Sequence, residues 1–280
     1  MTARENFPVG SLLIRQDLRD VVAAFYAFAR ASDDVADAPG LTVAEKLARL
    51  DAFEAGLDGD PAGRPEGRVL AALPDPRPGA HARQLLRAFR ADVAGLSCAT
   101  WGELMDYCED SANPVGRFLL DLHGESRSAW PSADALCTAL QVLNHLQDLQ
   151  ADHLRLARHY LPADWMAEEG VTLSDLEAPA LTSALRRVVD RALDRCDVLL
   201  DRSAGLSAAL SSRRLAGEAA TIQWLARQLS VRLRNGDPLA GRVAPSRADF
   251  ARAGLRGVVR ALAPRRRLAA EPAAAQGGKA

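Results

Sequence analysis

QVLNHLQDLQAD, running from Gln141 to Asp152, decides how the rest of the chain is read. Asn144, Asp148 and Asp152 recur every four residues, so on an α-helix they form one polar stripe about three turns long that drifts slowly around the axis. Leu136, Leu140, Leu143 and Leu146 fall on another face. The segment therefore predicts a helix buried on one side and lining a polar cavity on another. A solvated surface helix would interleave Lys or Arg with its aspartates, and neither occurs from Pro131 to His153. His145 and His153 stand beside the stripe without joining it and read as helix-flank residues, not ligands.

Outward from this helix the same three- and four-residue spacing continues, as in Val21, Val22, Phe25, Phe28 and Ala29. Alternating, strand-like runs are scarce, and alanine, leucine and arginine, which lose little entropy in a helix, dominate. An all-α fold is predicted, with about eight to ten helices. Pro39-Gly40 precedes a Thr42-x-x-Glu45 capping box, and a Gly- and Pro-rich stretch from Gly56 to Gly79 reads as the longest irregular segment. Asn113-Pro114 and Pro131-Ser132 read as helix starts, Leu161-Pro162 as an interruption and Asn235-Gly236-Asp237-Pro238 as a turn. One domain is expected over 5–265, followed by a basic and then disordered tail, 266–280.

A second acidic cluster ends the first apolar helix: Arg30-Ala31-Ser32-Asp33-Asp34-Val35-Ala36-Asp37. Asp33 and Asp37 share a helix face one turn apart, where two like charges repel unless a cation lies between them. A solvated acidic helix end explains this pair equally well on its own. Together with the 144/148/152 stripe, however, it suggests two acidic faces converging across a bundle to bind Mg2+. A di-iron bundle would need Glu-x-x-His pairs, which are absent.

Bulk properties narrow the setting. Thirty-five basic and thirty-six acidic side chains give a net charge of −1, so no global field favours nucleic acid. Cys98, Cys108, Cys137 and Cys196 lack metal-type or CxxC spacing and read as buried free thiols of a reducing, cytoplasmic compartment, with no secretory leader visible. No run is long and apolar enough to span a bilayer. Arg252, Arg256 and Arg260 form a stripe opposite Leu255, Val258, Val259 and Leu262, extended by Arg265 to Arg267. Such a helix suits either peripheral membrane contact or a solvated cationic face on the last core helix.

At four places the sequence resembles the squalene and phytoene synthases: Phe25-Tyr26-x-Phe28-Ala29-Arg30 leading into DDVAD, YCEDSANPVG at 107–116, QVLNHLQDLQAD, and Arg158-x-Tyr160-Leu161-Pro162. Within that family it is most similar to the bacterial hydroxysqualene synthases of the hopanoid-associated squalene route, through Glu5 to Ser11, Ser111 to Gly116, Asn144 to Asp148 and Gly236 to Ala240. Phytoene synthases usually carry arginine where Gln147 stands and an aromatic pair where Glu109 and Asp110 stand. The resemblance implies a single-domain helical bundle of the isoprenoid synthase type with a central cavity. It implies conversion of presqualene diphosphate and water to hydroxysqualene and pyrophosphate, with Mg2+ and without NADPH.

The resemblance also distributes roles. Asp33, Asp37, Asn144, Asp148 and Asp152 would hold metal, with Asp33 and Asp148 counted as catalytic. Arg30 and Arg158 would pair with the diphosphate, and Ser11, Tyr26, Gln141 and Asn144 would contact it or metal-bound water. Tyr107 is placed near the reacting carbon. From spacing alone, Tyr107 equally suits a helix-capping role, Arg158 an exposed salt bridge, and Phe25, Phe28 and Phe118 ordinary core packing rather than stabilisation of a carbocation. Arg242 and Arg247 lie where the family has further basic phosphate contacts, on a loose match. Two other functions stay open at this level: head-to-head condensation of prenyl diphosphates to presqualene diphosphate or phytoene, and a non-catalytic lipid-binding or assembly relative.

Overall fold

The capping residues that punctuate the sequence become helix starts in the computed structural model, which describes residues 15–263. Thr42, Thr100, Thr182, Ser212 and Ser246 each accept a backbone N–H of the following first turn, satisfying a donor the helix itself leaves unpaired. In chain order the α-helices are α1 Arg19–Ala36, α2 Val43–Leu57, α3 Pro65–Ala71, α4 Arg77–Val93, α5 Trp101–Ser111, α6 Asn113–Leu122 and α7 Trp130–Gln147. They continue with α8 Leu149–Leu156, α9 Ala163–Glu168, α10 Leu173–Leu176, α11 Ser183–Arg202, α12 Leu206–Ala209, α13 Arg213–Asn235 and α14 Arg247–Leu262. No strand occurs among the described residues. The all-α reading holds. Ser11, the motif from Glu5 to Ser11, Arg265 to Arg267 and the tail 266–280 lie outside the described residues.

Three sequence expectations change. The count of eight to ten helices is low, because short helices such as α10 and α12 carry too few residues to show a period. The stretch from Gly56 to Gly79 is not irregular throughout: Pro65 starts α3, and Gly67 lets it lie against α2. A β-carbon on Gly67 would sit 2.6 Å from the Phe53 carbonyl oxygen. Gly56, Gly63 and Gly67 serve close packing of α2 and α3, whereas Gly59, at φ 84°, turns the chain between them. Finally, the 144/148/152 stripe is not carried by one straight helix. Asp148, at φ −100° and ψ 11°, separates α7 from α8, although its N–H still reaches the Asn144 carbonyl at 3.0 Å.

Two hydrophobic clusters organise the interior. One gathers α1 to α4 around Phe25, Phe28, Phe53 and Phe118. Phe25 and Phe118 stack with centroids 4.0 Å apart, and Phe28 meets Phe53 edge-on, so all three candidate aromatics of the sequence are core residues here. The larger cluster surrounds α7, which packs against α5, α6, α11 and α13. α4 and α6 contribute to both. The four cysteines are free, three of them buried.

Candidate active site

α1 ends in Asp33, Asp34 and Asp37 with no basic residue in its last turn, at the helix end whose unpaired carbonyls already disfavour negative charge. Asp34 points to solvent and pairs with Arg30 at 2.8 Å. Asp33 also reaches Arg30, at 3.1 Å, but is turned inward enough that burial, then the neighbouring Asp37, pushes its carboxyl up to about 7. Arg30 itself is largely exposed, so these two pairs are weak. Tyr26, one turn earlier, is exposed.

Arg158 joins the two halves of the site. Its side chain is buried; one guanidinium nitrogen donates to Asp37 at 2.8 Å and the other to the Ala36 carbonyl at 3.1 Å. The bond spans 121 residues and draws the segment after α8 against the end of α1. The exposed-salt-bridge alternative for Arg158 is thereby excluded. On α8, burial, then the nearby charges of Asp148 and Asp37, pushes Asp152 up to about 7. The two acidic clusters therefore feel each other's field. Asp148 is exposed at the break between α7 and α8, and Asn144 and Gln141 lie half-buried on α7.

Behind these carboxylates sits a residue the sequence reading missed. Asp92, on the last turn of α4, is buried and accepts hydrogen bonds from Tyr107 and Tyr160, each at 3.0 Å. Burial pushes its carboxyl up to about 6, against the lowering effect of Arg158. The rings of Tyr107 and Tyr160 stack at 5.3 Å, and His145 stacks on Tyr160 at 3.6 Å. Burial pushes His145 down to about 3, so its imidazole is neutral at any pH near 7. It faces the tyrosines and not the stripe; His153 pairs with Glu177 at 3.4 Å. A void of about 10 Å3 lies behind, lined by Leu104, His145, Leu149, Tyr160 and Leu161 among others. A signal for Asp92 did exist: His81, Leu85, Ala88 and Asp92 follow the helical spacing of one buried stripe, and an acid ends it.

The donor set is chemically uniform. Carboxylates and one amide can offer oxygen toward a cation, as hard divalent ions require, and burial followed by neighbouring carboxylates raises two of the acids, Asp33 and Asp152. Among the described residues no three His, Cys, Asp or Glu side chains close on a common point. A consequence follows for the metal-free protein. Asp33 and Asp152 hold protons more tightly folded than unfolded, so their stabilising contribution is full below about pH 4 and is lost as pH rises through 7. Thermal melts in chelator between pH 5 and 8 are expected to show falling stability, with the slope reduced in Asp152→Asn; an unchanged slope in that variant would remove Asp152 from this account.

Residues 1–249 match the squalene/phytoene synthase family. The chain belongs to that family. Among curated members it is 43% identical to a hydroxysqualene synthase of Zymomonas mobilis over 88% of this chain and 84% of that one. It is 42% identical to a hydroxysqualene synthase of Rhodopseudomonas palustris, over 85% and 82% of the two chains. Its structure is similar to that of the squalene synthase HpnC from Alicyclobacillus acidocaldarius, with a TM-score of 0.70 and 33% identity over 81% of this chain and 87% of that one. A phytoene synthase of Mycobacterium bovis is 35% identical over 69% of this chain and 67% of its own.

The three positions at which the sequence reading expects a departure from the phytoene synthases, Gln147, Glu109 and Asp110, have structural partners here. Gln147 is buried and donates to the Val243 carbonyl, securing the turn after α13. Glu109 pairs with Arg117 at 2.5 Å and accepts from Asn113, while Asp110 holds Arg87 at 2.6 Å. The Glu109-Asp110 pair thus braces α5 against α4 and α6 instead of lining the acidic face. Arg242 and Arg247 are exposed.

Proposed function

We propose that this chain is a hydroxysqualene synthase, converting presqualene diphosphate and water to hydroxysqualene and pyrophosphate with Mg2+ and without a nicotinamide reductant. The observation that carries the reading is the 40–43% identity to three hydroxysqualene synthases over most of their lengths. The geometry supports it. Asp33, Asp37, Asn144, Asp148 and Asp152 would hold Mg2+, which supplies Lewis-acid neutralisation of the leaving diphosphate. Arg158, pinned beside Asp37, offers a cation in fixed orientation to the same group.

Heterolysis of the carbon–oxygen bond releases pyrophosphate and leaves a carbocation, which the apolar interior shields from bulk water. The cyclopropylcarbinyl cation rearranges with opening of its three-membered ring, and one water oxygen then bonds to the new cationic carbon and gives up a proton. Tyr107 and Tyr160, oriented by Asp92, are the polar groups set into this layer, and Asp92, with its carboxyl near 6, suits transient acceptance of that proton through a tyrosine hydroxyl. The substrate is an amphiphile and the product an apolar alcohol, so the enzyme acts at the periphery of a membrane.

The deciding experiment supplies purified full-length protein with presqualene diphosphate and Mg2+, and identifies the lipid by mass spectrometry. Hydroxysqualene formed without NADPH is the expected product. Squalene appearing only when NADPH is present overturns the reading, and formation of presqualene diphosphate or phytoene from farnesyl or geranylgeranyl diphosphate replaces it with head-to-head condensation.

A further inference from the structure

Of the two roles the sequence leaves open for α14, the structure turns the aliphatic face away from the bundle. The side that meets the bundle is made of small residues: Ala253 and Gly257 are buried against α13, and Thr221 of α13 donates to the Ala253 carbonyl at 3.3 Å. A β-carbon on Gly257 would lie 2.1 Å from the Thr221 hydroxyl oxygen, and one on Gly217 would lie 2.6 Å from the Gly257 carbonyl oxygen. With the backbones this close, the aliphatic side chains are turned outward. Leu255, Val258, Val259 and Leu262 are 65%, 48%, 60% and 74% exposed. They sit at i, i+3, i+4 and i+7, so they form one ridge along the outer face. They account for four of the twelve large exposed apolar side chains of the described residues, gathered within eight positions.

The arginines do not oppose this ridge; they flank it. Arg252 and Arg256 border a groove of about 790 Å3 between α13 and α14, and Arg256 lies over the Trp224 ring at 5.5 Å. Neither makes an ion pair with a carboxylate among the described residues, whereas the one acid of α14, Asp249, is buried against Arg232. From Arg242 to Arg267 the sequence holds eight arginines and one aspartate, in a chain whose overall charge is −1. Charge of a single sign beside an outward aliphatic ridge selects its occupant. A second copy of this face, or the chain's own segment from Pro264 onward with Arg265 to Arg267, would bring arginine against arginine.

We propose that the outer face of α14 docks on an anionic phospholipid bilayer, with Leu255, Val258, Val259 and Leu262 entering the acyl boundary and Arg252 and Arg256 meeting the headgroup phosphates. Such placement is the one in which an amphipathic helix uses both faces at once. The docking face gives a site to the membrane contact of the proposed function, but it is measured without substrate or turnover, so either idea can fail alone.

Flotation of the full-length protein with phosphatidylcholine vesicles, with and without phosphatidylglycerol, tests it. Capture by the anionic vesicles only is expected. Arg252→Gln/Arg256→Gln should weaken that capture about fivefold per arginine. Leu255→Ser/Val259→Ser/Leu262→Ser should abolish it, with circular dichroism and turnover of detergent-dispersed substrate unchanged in both variants. A chain ending at Ala263 should retain measurable capture. Equal flotation of the ridge variant and the parent, complete loss on truncation at Ala263, or a parent dimer that the ridge substitutions convert to monomer in sedimentation would each overturn the proposal.

Discussion

Asp152→Asn is expected to lower kcat/KM for presqualene diphosphate by about a hundred- to a thousandfold, while the metal-free protein melts at or above the parent temperature near pH 8. Both outcomes come from one property. Burial and the charges of Asp148 and Asp37 make a carboxylate at this position unfavourable in the folded protein, and Asn removes that repulsion at constant shape. On the proposed function, a divalent cation bound there would relieve the same repulsion, and an amide would hold that cation less well. Steady-state kinetics with differential scanning calorimetry in chelator checks the pair of effects. A variant that loses stability and activity together points to Asp152 as a packing residue and rejects the assignment. The pattern is that of an active site whose stability is sacrificed to function.

Tyr107→Phe is expected to separate the two halves of the reaction. Its hydroxyl donates to Asp92 deep in the site, away from the exposed Asp148 and Arg30. Pyrophosphate release should therefore fall by less than about tenfold, whereas hydroxysqualene formed per pyrophosphate should fall by about a hundredfold, in the range that a positioned proton-transfer group supplies. Unquenched cation would then leave as rearranged or eliminated hydrocarbon. The measurement compares pyrophosphate release with lipid products from one incubation. A proportionate loss of both would make Tyr107 a support for the fold, since deleting the hydroxyl leaves the buried Asp92 with Tyr160 as its remaining tyrosine partner.

How much of this was legible follows from the range of each interaction. Caps and breaks are set by residues within four positions, so the Thr42 box, the start at Asn113 and the end at Asn235 could be read directly. The acidic pair on α1 and the 144/148/152 spacing were legible for the same reason, whereas the break at Asp148 is a backbone state that spacing does not encode. Asp92 was passed over because its significance is tertiary: its partners are 15 and 68 residues away. For α14 the periodicity left two roles open, because it marks an apolar face without saying whether that face meets the same chain. Small residues, which carry little hydropathy, won the packing because glycine and alanine permit a closer helix approach.

The bond between Arg158 and Asp37 also bears on how the molecule acquires and loses activity. α1 belongs to one hydrophobic cluster and α7 to the other, with α4 and α6 contributing to both, so the two acidic runs are anchored in different parts of the interior. A nascent chain can complete the first core before residue 158 is made, yet it has no site until the second core exists and presents Arg158. On the proposed function, catalytic competence is therefore gained only after the chain has passed Arg158.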